Sequence, residues 1–378
     1  MPGLYFHIPF CRKACTYCDF HFSTSLRRRH EMTEALDAEL RLRSSELAGP
    51  LSTCYFGGGT PSLLPPGDLA RLLDAARSIW TFAPDTEYTL EANPDDLNPD
   101  ALRALRGIGF TRLSIGIQSF SDADLRWMNR SHDARQALAC IPLAREAGFA
   151  SLSIDLIFGL PGQDLPAWQR NLEQALRLQP DHLSVYALTP EPQTALHWQL
   201  RKDRVRLPED QAYAEQFLLA HRLLAEAGYE HYELSNYARP GFRSRHNAAY
   251  WTGEPYLGIG PSAHSYDGVC RRWNAAHNYR YLQALAAGRP ALESEETLSP
   301  LDRYHEYVMT GLRTAQGLSL GRLQHWIPDW EARFAPELER RQAAGVLART
   351  AEGYAMTPEG WLMSDAVIRD FFTDALIR

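Results

Sequence analysis

Three segments of this 378-residue chain repeat one unit: the end of a helix, a glycine, an aromatic residue and a strand-like run. They read GIGFTRLSIGIQS, EAGFASLSIDLIFG and EAGYEHYELSNYA. Such repetition is the β-then-α alternation of a parallel sheet with helices packed outside it. Six short runs rich in Ile, Leu, Val, Tyr and Phe read as strands, at residues 4–9, 53–56, 88–91, 112–117, 152–158 and 183–188. Several are apolar almost throughout, as strands buried on both faces are. Between them, Asn98-Pro99 followed by Leu102, Leu105 and Gly107 reads as an N-cap, a proline in the first turn and a glycine stop. Residues 133–148 and 209–228 end in the same way. The expected class is α/β, with a partial, TIM-like (β/α)6 barrel over residues 1–240; an open doubly wound sheet is the competing architecture.

The pattern weakens after about residue 240. Residues 241–268 are dense in Gly, Tyr and His and lack helical periodicity, so 241–300 reads as a connecting segment. From 301 to 378 the composition changes again. Helices at 303–312, 320–326 and 336–344, then two short strands around a glycine turn, resemble a winged helix; a plain stabilising cap is the other reading.

With 45% hydrophobic and 22% charged residues, the chain has the composition of a globular protein with a sizeable core. Its 39 basic and 46 acidic residues give a net charge of −7, which argues against general nucleic-acid affinity. The run Arg27-Arg28-Arg29 reads as a solvated helix start. No apolar run approaches the roughly 20 residues needed to cross a bilayer. No signal peptide precedes the cysteines, and three of the six crowd within eight residues, which points to a reducing, cytoplasmic setting. Peripheral membrane association stays open. Cys54, Cys140 and Cys270 read as ordinary thiols.

The crowded three are Cys11, Cys15 and Cys18, spaced CxxxCxxC. Thiolates hold iron–sulfur clusters, and three of them on a four-iron cubane leave one iron free for an exchangeable ligand. A Cys3His zinc site using His7 or His21, or simply free thiols, would also account for the spacing. Other strand ends carry polar residues as well: Gly57-Gly58-Gly59-Thr60-Pro61, then Glu91-Ala92-Asn93-Pro94, Gln118-Ser119, and Asp155 through Gly159. The sixth strand ends near Ala187. A glycine triplet after a strand lets the backbone approach a ligand, although a tight turn would use it equally. No GxxxxGK[ST] follows, so a P-loop is unsupported. Glu91 at a strand end needs a partner, either ribose hydroxyls or a salt bridge to Arg112 or Arg130. Gln118 and Asp155 could be core hydrogen-bond partners. In barrels of this kind the site lies at the C-terminal ends of the strands, where all of these fall.

Taken together, these motifs resemble the radical S-adenosylmethionine (SAM) superfamily, in which three cysteines hold a [4Fe-4S] cluster and SAM chelates the fourth iron. Reduction of that cluster cleaves SAM to a 5′-deoxyadenosyl radical. LYFHIPFC, GGGTPS, IGIQSF, IDLIFGLPGQ and GIGPSAHS further resemble the oxygen-independent coproporphyrinogen III oxidase family, over nearly the whole chain. The resemblance implies that Tyr5, Gly58, Gly59, Thr60, Glu91, Gln118, Arg130 and Asp155 contact SAM. It places Tyr17 and Phe20 at the cluster and Ala187 and His264 as further contacts.

Two departures argue against coproporphyrinogen oxidation. Phe20 stands where the oxidases carry a further cysteine, and their long extension before the cluster motif has no counterpart ahead of Cys11. A third feature, His246-Asn247-Ala248-Ala249-Tyr250-Trp251, could supply an axial ligand and flat apolar surfaces for haem, with Arg243 and Arg245 near its propionates. The same segment could instead be an irregular loop around a small core. It is similar to the HNxxYW motif of the haem (heme) chaperone branch of the family. That likeness implies a protein that binds haem and passes it to acceptor haemoproteins, membrane respiratory proteins among them. A radical SAM oxidoreductase acting on a tetrapyrrole is the alternative. A homodimer linked through the cluster or SAM is compatible with either.

Overall fold

The computed structural model describes residues 1–374 and 376; Ala375, Ile377 and Arg378, at the end of the expected 301–378 unit, lie outside the described residues. Six strands, β1 (Gly3–Ile8), β2 (Leu51–Gly58), β3 (Phe82–Ala92), β4 (Arg112–Gln118), β5 (Ser151–Phe158) and β6 (His182–Ala187), stand side by side in chain order. Each is parallel to the next. A doubly wound sheet reverses its strand order at a switch point. This order runs straight through, so the sheet is a partial (β/α)6 barrel.

The crossovers are α1 (Arg29–Leu42), α2 (Pro66–Ile79), α3 (Pro99–Ile108), the pair α4 (Asp122–Trp127) and α5 (Ala134–Glu146), and α6 (Leu165–Leu178). Leu4, Phe6 and Ile8 of β1 share one fully buried core with Leu36 and Leu40 of α1 and Leu69, Leu72 and Leu73 of α2. Strand side chains alternate between faces. The register therefore stacks the other face in polar rows: Tyr5 beside Tyr55 beside Thr89, and Glu91 beside Ser114 beside Ser153.

Several local expectations need correction. Gly107 lies inside α3; the left-handed stop is Gly109, at φ 110°. The third repeat does not add a parallel strand. After α7 (Ala195–Arg201) and α8 (Asp210–Glu226), it forms a hairpin of β7 (Glu230–Glu233) and β8 (Asn236–Ala238), with β8 antiparallel to β6. Residues expected to lack helical periodicity hold α9 (Arg245–Thr252), which carries HNAAYW. Next come β9 (Tyr256–Ile259), β10 (His264–Tyr266), β11 (Cys270–Asn274), α10 (Asn278–Ala286) and β12 (Leu292–Thr297). Because β9 pairs parallel with β1, this stretch widens the sheet to twelve strands.

The C-terminal part runs α11 (Pro300–Gly311), β13 (Leu318–Ser319), α12 (Leu320–Trp326), α13 (Trp330–Arg333), α14 (Ala335–Ala343), β14 (Leu347–Arg349), β15 (Gly353–Met356), α15 (Pro358–Trp361) and α16 (Ser364–Arg369). Its three strands form a separate sheet in the order β13-β15-β14, the helix–strand–helix–hairpin plan of a winged helix. It docks on the β7–β8 hairpin: Leu234 N–H donates to the Arg313 carbonyl (2.9 Å), and His231 packs edge-on to Trp361 (4.4 Å). Among the described residues, no helix is long and apolar enough to cross a membrane.

Candidate functional site

The loop between β1 and α1 holds Cys11, Cys15 and Cys18, and the turn after α4 pins it. Thr16 N–H donates to the Met128 carbonyl (3.2 Å), and Asn129 Nδ2 to the Ala14 carbonyl (2.8 Å). Two donors reach the sulfurs: Thr60 Oγ1 to Cys11 Sγ (3.6 Å) and Arg130 Nη1 to Cys15 Sγ (3.4 Å). Burial pushes the Cys18 thiol up to about 12 and raises that of Cys11. Thiols in this setting stay protonated until a cation displaces the proton.

The donor set bears on which metal group fits. His7 offers no free nitrogen, with Tyr5 Oη on Nδ1 (3.2 Å) and the His21 carbonyl on Nε2 (2.8 Å). His21 Nε2 is bound to Asn278 (2.7 Å). Among the described residues, no three His, Cys, Asp or Glu side chains converge on one ion-sized point. A zinc ion requires that convergence, whereas a cubane takes each cysteine on a different iron. With His7 and His21 engaged in hydrogen bonds, the three cysteines stand as the thiolate set that a cubane takes, one on each of three irons.

A cavity of about 380 Å³ opens beside the cysteines, at the C-terminal ends of the strands. Gly58, Gly59 and Thr60 enter it from β2, Glu91 and Asn93 from β3, Gln118 from β4, Asp155 from β5 and Ala187 from β6. Arg130 and Tyr17 close the cysteine side, and Phe20 sits at the rim, 66% exposed. Gly58 occupies left-handed backbone (φ 102°), and a Cβ there would strike the His7 ring at 2.6 Å. Its N–H donates to Glu91 Oε2 (3.2 Å), while Tyr55 Oη donates to Glu91 Oε1 (2.7 Å). Gln118 also holds left-handed backbone, at φ 68°, a conformation uncommon for non-glycine residues and often seen in active sites.

Neither arginine considered for Glu91 pairs with it. Arg112 donates to Ser151 Oγ and the Phe242 carbonyl; Arg130 donates to Asn93 Oδ1 (2.7 Å) and the Gly116 carbonyl (2.6 Å). Glu91 and Asp155 open onto the cavity and are enclosed by protein elsewhere. Burial pushes the Glu91 carboxyl up to about 7, against the hydrogen bond from Tyr55. It pushes Asp155 up to about 6, against the Ser184 hydrogen bond and the charge of Arg130. Two carboxyls near neutrality beside a guanidinium suit a ligand that offers hydroxyls to one side and a carboxylate to the other.

Three residues expected near the cofactors do not line this cavity. Tyr5 sits one row below Glu91, stacked on Tyr55 (6.0 Å). His246 lies lower still, on α9 at the opposite mouth of the barrel, only 2% exposed. Its Nδ1 is bonded to Thr53 Oγ1 (2.8 Å) and its Nε2 to Tyr250 Oη (2.9 Å). His264 is on β10, stacked on Trp273 (5.8 Å). Arg243 and Arg245 are ion-paired with Glu230 and Asp85. Sequence reasoning missed Tyr55, Ser114 and Tyr186. Two-residue alternation along β2, β4 and β6 places all three on the inward face and could have found them.

A parallel partial barrel with three cysteines in its first loop and a polar cavity at its strand ends defines a radical SAM protein. Residues 5–175 match the Radical SAM superfamily, and residues 298–363 match the HemN C-terminal domain. The chain is 37% identical over 375 residues to the heme chaperone HemW of Mycobacterium tuberculosis (strain H37Rv), covering 97% of this chain and 94% of that one. Against the heme chaperone HemW of Bacillus subtilis (strain 168) it is 33% identical over 376 residues, covering 98% and 99%. The solved coproporphyrinogen III oxidase HemN of Escherichia coli superposes with a TM-score of 0.85 at 28% identity, covering 99% of this chain and 91% of that one. The chain belongs to the HemW family of radical SAM proteins.

Proposed function

We propose that this protein is a haem chaperone, which binds haem and passes it to acceptor haemoproteins. In this reading Cys11, Cys15 and Cys18 hold a [4Fe-4S] cluster and the adjoining cavity takes SAM. The observation that carries it is near full-length likeness to proteins named heme chaperones, supported by HNAAYW on α9 and Phe20 in place of a fourth cysteine. Bound at this site, cluster and SAM supply one-electron chemistry. The chain's own residues bind and orient. Glu91, fixed by Tyr55 and the Gly58 N–H, takes vicinal hydroxyls. Arg130 supplies positive charge between Cys15 and the cavity. Asp155 and Gln118 hold the polar remainder, and Tyr17 shields the cysteine side.

His246 is the proposed haem ligand within HNAAYW. Because both its nitrogens are engaged, ligation requires it to leave Thr53 or Tyr250. The test is a haem titration of anaerobically reconstituted protein, followed by mixing with an apo-haemoprotein. The expected result is a Soret band that migrates to the acceptor and weakens in His246→Ala. A preparation with an intact cluster and no Soret band overturns the reading.

The complete cavity and the likeness to HemN favour a second reading, oxidation of coproporphyrinogen. Protoporphyrinogen formed under dithionite and SAM would displace the chaperone assignment.

A further inference from the structure

Between the cofactor cavity and α9, the barrel interior holds a continuous line of contacts. Glu91 Oε1 accepts from Tyr55 Oη at 2.7 Å. The Tyr55 ring lies over His246, with centroids 4.8 Å apart and planes 22° apart. Tyr5 flanks both, at 6.0 and 6.1 Å. The imidazole bonds Thr53 on one side and Tyr250 on the other. The start of α9 is held from β3, where Glu87 accepts the N–H groups of Arg245 (3.3 Å) and His246 (3.2 Å). Glu87 lies on the same face of β3 as Glu91, two rows below it.

Two glycines make the line continuous. At Gly57 a Cβ would meet Tyr55 at 2.8 Å and Glu91 Oε1 at 2.9 Å. At Gly3 it would meet Thr53 Oγ1 at 2.6 Å and His246 Nδ1 at 3.2 Å. A side chain at either place would force apart the groups that now touch. Tyr55 and His246 do not line the cavity, yet one donates to its carboxylate and the other backs that donor's ring.

We propose that Tyr55 and His246 are positioning residues for Glu91, coupling the HNAAYW helix to the nucleoside end of the cofactor cavity. When haem iron draws His246 away from Tyr55, Tyr55 keeps only Tyr5 beside its ring, and its hydroxyl is held less firmly on Glu91. Haem on His246 therefore weakens SAM, and by thermodynamic linkage SAM weakens haem by the same factor. The identity of the two ligands rests on the proposed function; the coupling rests on the contacts.

The test measures S-adenosylhomocysteine affinity on the full chain with its cluster reconstituted anaerobically. Tyr55→Phe and His246→Ala are each expected to weaken binding about tenfold, the usual worth of one hydrogen bond to a charged group. The double variant should bind no worse than either single one, because the two act through one contact. His246→Phe keeps a ring against Tyr55 and should recover most of the affinity, a rescue that would also show the fold intact. Thr252→Ala, on the exposed end of α9, should bind as wild type does. Haem should weaken binding in the wild type and leave Tyr55→Phe unmoved. Unchanged affinity in His246→Ala, or effects that multiply in the double variant, would overturn the coupling alone. Failure of the wild type to bind S-adenosylhomocysteine would overturn the cofactor reading and the coupling together.

Discussion

The two mouths of the barrel handle polar groups in opposite ways. At the cavity end, the charge of Asp155 adds to the burial that raises Glu91, and Arg130 Nε finds no partner among the described residues. At the floor, His246 has both nitrogens bonded and the helix start is held by Glu87. Desolvated carboxyls are costly to ionise even when hydrogen-bonded, so a complementary ligand at the upper mouth gains by meeting them. The lower mouth is already satisfied, so a ligand there must first break existing bonds. The difference teaches that motif residues at the top meet a ligand directly, whereas His246 of HNAAYW must first release a bond.

The most severe way to break this contrast is to remove a sulfur. Cys15→Ser should abolish the cluster's visible absorption and its iron, with the fold retained because the loop is also pinned through Thr16 and Asn129. Retention of iron would mean the sulfur is not a ligand.

Glu91→Gln tests this cost directly. S-adenosylhomocysteine affinity should fall about a hundredfold, the scale of two lost hydrogen bonds to a charged group. The unliganded protein, by contrast, should not be destabilised at pH 8. A loss of several degrees in Tm at that pH would show that Glu91 is structural.

A smaller effect separates the two ends by the sign of their pH dependence. Glu91 has a folded pKa of about 7, above its ordinary value, so the native state holds the extra proton. Its contribution to stability is present below the unfolded pKa and is lost as pH rises through about 7. Burial lowers His246 to about 3, so its contribution is present above the unfolded pKa and is lost as pH falls toward 3. Relative to wild type, Glu91→Gln should gain stability from pH 5 to 8, and His246→Phe from pH 7 to 4. Each slope should be at most about 1.4 kcal/mol per pH unit. Parallel slopes in thermal melts would erase the distinction.

What the sequence disclosed follows the same division. Strand cores were legible because their outward residues, such as Leu4, Phe6 and Ile8, form unbroken apolar rows. Their edges were not, because the inward face of β2 carries Thr53, Tyr55 and Gly57, and mixed polarity blurs a strand's limits. Helix α9 escaped notice because His246 is its one fully buried residue, so it shows no apolar stripe. Strand β12 escaped because all six of its residues are exposed. The cavity residues that fall where strands end and turns begin were legible, whereas Ser114 and Tyr186, within their strands, were not. Motif matching found His246 but carried no information about depth, so its burial beneath Tyr55 and its bonds to Thr53 and Tyr250 were not foreseen.

The mildest change sharpens the upper mouth alone. Phe20 lies two residues beyond Cys18, exposed at the rim of the cavity, and its ring adds little to the core. Phe20→Ala should therefore shift stability by no more than about 0.5 kcal/mol, the range for surface substitutions. An apolar ring at that position can still hinder water and oxygen at the cysteines. The variant should thus bleach faster in air while keeping the wild-type Tm and S-adenosylhomocysteine affinity. Tyr250 at the other mouth is partly exposed too, at 38%, but its hydroxyl is bonded to His246. Tyr250→Phe should accordingly cost about 1 kcal/mol of stability and leave bleaching untouched. If the two variants exchange these signatures, Phe20 packs against the body of the barrel and the cysteines are shielded by something else.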